Sequence, residues 1–459
     1  MTEQEPGHEE PQPEPTPARA GPIPAAERIL TLDVLRGLAL FGILLINVSA
    51  LSLPTDWFRV DWDGIGAAEY AVEVGKLIFF QGKFYTLFAF LFGVGFAIQL
   101  TRAERKGVGF AARFFWRMLL LYAIGVTHIV VLWDGDILNL YAGVGLLLLL
   151  FYGLKRLLDI PVRKLSKKGR KRAPRWVVLV VLGALFAFSQ GAPLGFSIYA
   201  YQTHQAYLAG ETLNDTQQWI IGQLADARSP ERAEERAKRK AEGDEIFKNG
   251  GYLDTVRYRT DGLWPNLHPN PFWLTLLCIF ILGAYVGRQD FIGRAQELRQ
   301  GFKRLTLYSL AVGVPATAAF VLVTVSGDLE PYPWLQVTQF VTKTVSGLAF
   351  ALALVGAVTL AMMTGARKWL LHLAPVGQMA LTNYLLQSAI GVYVFYGYGL
   401  GLMGKLNAVE QVPYCVILFT LQVLFSRWWL SRFRFGPVEW LWRSLTYLRR
   451  QPMRRAAAG

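Results

Sequence analysis

The sequence is short of the residues that soluble chemistry usually needs. It has only 2 cysteines and 5 histidines in 459 residues. That excludes a disulfide scaffold, and the two thiols lack the spacing of a zinc or redox motif. Charged residues make up 17%, against roughly 25% in a typical soluble domain. Acidic residues are scarcer than basic ones, 33 against 47, which leaves a net charge of +14. A soluble nucleic-acid binder is this basic but not this apolar, so nucleic acid is excluded as a partner. What is present is 53% hydrophobic residues, with 14 Trp, 19 Tyr and 29 Phe. Such a chain is not disordered.

The hydrophobic residues are gathered in long runs. A helix needs about 20 apolar residues to cross a bilayer. By that measure the chain has about ten spans: 29–51, 84–100, 114–132, 137–154, 176–200, 271–287, 305–325, 334–363, 373–396 and 412–430. Residues 67–80 also read as helical, so the second span has room to begin earlier. The predicted fold is therefore all-α, a polytopic membrane helix bundle. Basic residues set its orientation. With both termini cytoplasmic, the short external segments hold only Arg59 and Lys405, while the cytoplasmic ones are crowded with Lys and Arg. The first span is too long for a signal-peptide core and no small-residue cleavage site follows it, so an uncleaved anchor is expected.

Five regions follow. Residues 1–27, rich in Pro and Glu, read as a disordered cytoplasmic tail. Residues 28–200 form an N-terminal membrane half and 271–447 a C-terminal one. Between them, 201–270 form a large external loop or cap. Its stretch 229–247 mixes both charge signs at helical spacing (Glu231, Glu235 and Arg239; Arg232, Arg236 and Lys240), which predicts a solvated helix with i,i+4 pairs. Trp219, Tyr252 and Trp264 are expected to pack this cap down. Residues 448–459 are a basic cytoplasmic tail, and the basic segment 155–175 suits anionic lipid headgroups.

Ionisable groups inside spans cost energy to keep and are functional candidates by default. Asp33 and Arg36 lie one turn apart at the cytoplasmic end of the first span and can pair. Asn47 lies three turns further along the same helix. His128 closes the third span beside Asp134 and Asp136, an arrangement that fits a general base with an orienting carboxylate. A negative external hairpin with a backbone-bonded histidine explains the same residues. Asn383 and Gln387 form a polar stripe in the ninth span, either as interhelical glue or as a pocket wall. Lys83 and Lys343 are placed to snorkel, or to balance Asp33 or a bound anion. Gly397-Tyr398-Gly399 looks like part of a potassium filter but lacks the pore helix and Thr-Val run a filter needs.

Several of these motifs, in order, resemble the YeiB-type bacterial membrane family, the domain of unknown function 418. They are Leu32-Asp33-x-x-Arg36-Gly37 with Asn47, Gly82-Lys83-Phe84-Tyr85, Gly135-Asp136-Ile137-Leu138, Gly377 to Ser388, and Phe435-Gly436-Pro437-x-Glu439-Trp440-x-Trp442-Arg443. The resemblance runs from about residue 28 to 447 and implies a multi-pass protein of the bacterial cell membrane. The family carries a loose label of transport. Through Asp-x-x-Arg-Gly it is distantly similar to membrane acyltransferases, among them the lysosomal heparan glucosaminide acetyltransferase and bacterial O-acyltransferases. There an arginine near the cytoplasmic side is associated with the acyl donor, and a histidine at or just after the end of the first span serves the transfer. Here Leu51–Asp63 contains no histidine, and His128 is the substitute.

The expectation is an acyltransferase with no bound cofactor or metal and acyl-CoA as co-substrate. Arg36, Arg113 and Arg117 would hold the donor's phosphates. His128, oriented by Asp134 or Asp136, would act on a small-molecule, glycan or lipid-borne acceptor. The alternatives are a transporter using Asn383, Gln387 and Lys343, and a scaffold or sensor that recognises partners through 201–270. A homodimer is compatible with any of them.

Overall fold

In the computed structural model, the described residues are 29–53, 60, 62–165, 175–227, 229–267, 272–326 and 333–455. The N-terminal tail and the centre of the basic segment 155–175 lie outside them. Eighteen helices follow in chain order. The first half holds α1 (Leu30–Ser52), α2 (Ala67–Phe79), α3 (Lys83–Arg105), α4 (Ala111–Val131), α5 (Leu138–Leu165) and α6 (Arg175–Leu208). Four short helices make the cap: α7 (Asp215–Ala227), α8 (Pro230–Asn249), α9 (Tyr252–Asp261) and α10 (Leu263–Leu267). The second half holds α11 (Phe272–Arg288), α12 (Arg299–Val325), α13 (Pro333–Ala361), α14 (Arg367–Leu370), α15 (Ala374–Gln378), α16 (Ala380–Phe395), α17 (Ala408–Arg432) and α18 (Pro437–Thr446). Among the described residues the only extended pairing is one bridge between Phe433 and Arg454.

Among the described residues, seven helical stretches are long and apolar enough to cross a membrane, the run Ala67–Arg105 among them. Three shorter apolar helices, Leu138–Gly153, Phe272–Arg288 and Ala380–Phe395, accompany them. An all-helical answer is forced wherever backbone polar groups have no water to bond. α1 lies at the centre and packs on α3, α13, α15, α16 and α17. α12 and α13 pair at the periphery. Leu307, Val312 and Leu322 of α12 face outward, as suits a lipid-facing helix.

The glycine of the Asp-x-x-Arg-Gly motif has a packing reason. A Cβ on Gly37 would fall on the Leu373 carbonyl, and one on Gly377 would fall on the Asp33 carbonyl. The two backbones touch, which only glycine allows. This contact draws α15 against the cytoplasmic end of α1.

The ninth predicted span is not one helix. The chain leaves α-geometry at Met379 (φ −107°, ψ 35°), between α15 and α16. The break exposes the first amides of α16, and Glu439 of α18 satisfies them. Its Oε1 accepts from the Leu381 and Thr382 backbone N–H groups at 2.7 and 3.0 Å, and the Thr382 hydroxyl donates to Oε2. A carboxylate at a helix N-terminus also meets the positive end of the dipole. The sequence reading missed this because the cap comes from far along the chain.

The cap is helical, and α8 matches the predicted solvated helix, with Lys238–Glu234 as an i,i+4 pair. Its tryptophans do not pack it down: Trp219 is 59% and Trp264 70% exposed. The anchors are Phe247, which joins the main core, and Tyr252, whose hydroxyl donates to the Val131 carbonyl at 3.1 Å. The Gly397-Tyr398-Gly399 turn receives the cap, because the Gly397 N–H donates to the Phe247 carbonyl at 2.9 Å. That is a docking turn and not a filter.

Candidate functional site

His128 sits in the last turn of α4, and the tight connection to α5 swings Asp136 back against it. The Asp136 Oδ1 lies 2.9 Å from His128 Nδ1, and both side chains are fully buried. Asp136 Oδ2 accepts from the Asn139 N–H at 2.8 Å, which fastens the start of α5. One carboxylate therefore caps the helix and stands beside the imidazole. Both ring nitrogens are buried without a well-aligned hydrogen bond among the described residues, and Nε2 has no carboxylate beside it. Asp134 is exposed and does not form this pair.

A cavity of about 280 Å³ runs between α1, α3, α4, α5, α16 and α18. Along α1 it is lined from Ile29 to Ile43, which at 1.5 Å per residue is a depth of roughly 20 Å. That is about two-thirds of a hydrocarbon core roughly 30 Å thick. One end is cationic, with Arg36, Arg102, Arg117 and Arg443 brought together from four helices. Phe88, Phe92, Leu121 and Ile137 give the middle apolar walls. The inner end closes at Tyr141 and Tyr384. Tyr384 separates the cavity from the histidine: its ring centroid is 5.3 Å from that of His128. Its hydroxyl donates to the Gly135 carbonyl at a long 3.4 Å and lies beside the Ile137 backbone.

The arginine end is built with care. Arg36 donates to Asp33 Oδ1 at 3.0 Å, while Asp33 Oδ2 is buried without a partner among the described residues. The Arg117 guanidinium lies 3.7 Å from the Trp442 ring centroid, and the Trp442 indole N–H donates to the Arg117 carbonyl at 3.1 Å. Planar guanidiniums held by stacking are pre-set for bidentate contacts with phosphate or carboxylate.

A family model described as "Protein of unknown function (DUF418)" matches residues 286–449. The chain is 30% identical over 451 residues to the uncharacterized protein YxaH of Bacillus subtilis (strain 168), an alignment covering 93% of this chain and 96% of YxaH. It is 30% identical over 432 residues to the uncharacterized protein YeiB of Escherichia coli (strain K12), covering 92% and 96%. The chain belongs to the YeiB-type DUF418 family.

In this DUF418 protein the candidate residues divide by place. Arg36, Asp33 and Arg117 share the cavity mouth. Arg113 stands outside the lining, 6.0 Å from the Tyr447 ring. Asn383 and Gln387 do not line the cavity. The Asn383 amide donates to Ser426 Oγ at 2.9 Å, and the Gln387 amide to Gln422 Oε1 at 2.9 Å. The Gln422 amide donates back to the Asn383 carbonyl at 2.9 Å. This ladder joins α16 to α17. Asn47 is half-buried on α1, beyond the inner end of the cavity lining.

Lys83 is fully buried at the start of α3. It donates to the Leu77 and Gln81 carbonyls at 3.1 and 3.3 Å and to Ser346 Oγ at 3.2 Å. It thus ties the end of α2 to α13 and stands at the other end of the bundle from Asp33. Lys343 is half-buried on α13, 5.8 Å from the Phe340 ring. Tyr384, Arg102, Glu439, Trp442 and Arg443 escaped selection as site residues in the sequence. Glu439, Trp442 and Arg443 stand in the C-terminal motif, which is the signal that pointed to them.

Proposed function

We propose that this protein is a bacterial cell-membrane acyltransferase. In this reading it takes an acyl-CoA-like donor from the cytoplasm and passes the acyl group to an acceptor on the outer side. One observation carries the proposal: a single cavity leads from four arginines to within one side chain of a buried His–Asp pair. The phosphates of the donor would lie against Arg36, Arg102, Arg117 and Arg443. Its extended arm would follow the aromatic wall inward. A swing of Tyr384, whose bond to the Gly135 carbonyl is long, would open the way to His128.

The chemistry then balances on this chain's own groups. His128 Nε2 takes the proton of an acceptor hydroxyl as its oxygen attacks the thioester carbonyl. The C–O bond forms, the C–S bond breaks, and the leaving thiolate recovers the proton from His128. Asp136 keeps Nδ1–H directed at itself and stabilises the transient imidazolium. The test uses purified protein, labelled acyl-CoA and measured hydrolysis or transfer. His128→Ala is expected to lower turnover about 10²–10⁴-fold while donor affinity holds, and Arg36→Gln to lower affinity. Background activity in wild type and His128→Ala alike overturns the proposal.

The broken α15–α16 helix beside the cavity favours a second reading, because transporters bind substrate at interrupted helices. In that case anion flux in proteoliposomes falls in Arg36→Gln and is indifferent to His128→Ala.

A further inference from the structure

Above the His128 end of the bundle, α9 of the cap carries Arg259, which is 2% exposed. Its one well-aligned hydrogen bond among the described residues runs from Nη1 to the Val130 carbonyl at 3.3 Å. Nε and Nη2 are buried with no partner among the described residues. The guanidinium lies 5.5 and 6.0 Å from the Tyr396 and Phe247 ring centroids. The Tyr398 hydroxyl sits beside it, also buried and without a well-aligned partner. Asp134, whose charge reaches Tyr396, forms no ion pair with the guanidinium. The last turn of α4 offers at most about half a negative charge against one full positive charge. A buried guanidinium with two idle nitrogens is costly unless an acceptor completes it. The Val130 carbonyl and the neutral Tyr396 and Tyr398 hydroxyls are the acceptors that face the guanidinium, and no carboxylate among the described residues forms an ion pair with it.

We propose that Arg259 and Tyr398 form an oxyanion-binding site at the junction of cap and membrane domain, which takes a carboxylate or phosphate group on the outer side. Val130, whose carbonyl holds Arg259, lies two residues after His128 in α4. The site therefore falls where the acceptor of the proposed transfer would arrive, and an anionic group on that acceptor is its natural occupant. The occupant's identity as acceptor rests on the transfer reading. The anion site itself does not.

The experiment measures thermal unfolding of the full chain in detergent, with inorganic phosphate or sodium acetate titrated against sodium chloride of equal ionic strength. A second arm uses nanodiscs of phosphatidylcholine with or without phosphatidylglycerol and no added phosphate. The wild-type melting temperature is expected to rise with the oxyanion. Arg36→Gln removes binding at the arginine mouth, and the rise that remains in it should be lost on adding Arg259→Gln and at least halved on adding Tyr398→Phe. If Arg259→Gln fails to fold, Arg259→Lys and Tyr398→Phe decide. A rise that depends on Arg259 only with free anion assigns a soluble occupant, and one only in phosphatidylglycerol assigns a lipid-borne one. The proposal is overturned by a rise in neither arm, by a rise unchanged in the Arg259 and Tyr398 variants, or by one lost only in Arg36→Gln. A purely structural Arg259 would shift melting equally with and without phosphate. The readout is binding and not turnover, so failure of the acyltransferase reading leaves the result interpretable.

Discussion

Asp33 and Arg36 were legible as a pair because a helix places residues three apart on one face, and the structure gives that pair at 3.0 Å. The glycine beside them was legible only as part of a motif. Its reason is the facing Gly377, far along the chain, whose missing side chain lets Asp33 and Arg36 meet the cavity. Gly377→Ala puts a carbon on the Asp33 carbonyl, and backbone cannot step aside as a side chain can. Overpacking of this kind costs about 1–3 kcal/mol. Thermal melts should show that loss, and donor affinity should fall with it because Arg36 is displaced. Unchanged melting would refute the close-approach account. At the same scale, His128 and Asp136 were named together in the sequence, but spacing did not separate Asp136 from Asp134. The turn geometry does, by burying one and exposing the other.

Among the elements, α18 connects most levels. Its sequence alternates so that Glu439, Trp442 and Arg443 face the cavity while Leu441 and Leu445 are exposed. It closes the arginine mouth and caps α16 at once. Burial raises the Glu439 carboxyl above its ordinary 4.5, and hydrogen bonds from Thr382 and Leu381 only partly offset this. The docked helix therefore holds its proton to higher pH than the undocked one. A group shifted this way favours docking fully below 4.5 and loses that contribution as pH rises from there through the raised value. Amide-exchange protection of α18, corrected for intrinsic rates, should decline across that interval in wild type and stay flat in Glu439→Gln. Equal slopes would reject the latch. The break that Glu439 serves was invisible to hydropathy, because residues 373–396 are apolar from end to end. Apolarity decides that a segment is buried. It does not decide whether the segment is one helix or two.

For the whole molecule, the charge pattern assigns the arginine mouth to the cytoplasm and the cap to the outside. The helix ends agree with one another: Arg36, Arg102, Arg117 and Arg443 gather at one end, and the cap docks on the other end of α4. Both native cysteines are buried, so single reporters can be read cleanly. In intact cells Thr216→Cys in the cap should react with a membrane-impermeant maleimide, and Gly301→Cys should react only after permeabilisation. Reversed labelling would invert the topology and move the proposed donor to the outer side. The sequence by itself determined that the chain is a helical membrane protein of this family, and it carries a charge pattern that predicts which ends face inward, because span length, apolarity and loop charge are local properties. It also singled out Arg36 and His128, since an ionisable group in a span stands out against its neighbours. Only the tertiary structure decided that four arginines from α1, α3, α4 and α18 share one mouth, that Tyr384 stands between that mouth and the histidine, and that Arg259 is buried without an ion-pair partner among the described residues. Those relations depend on which helix backbones approach one another, and that is set by packing between segments far apart in the chain.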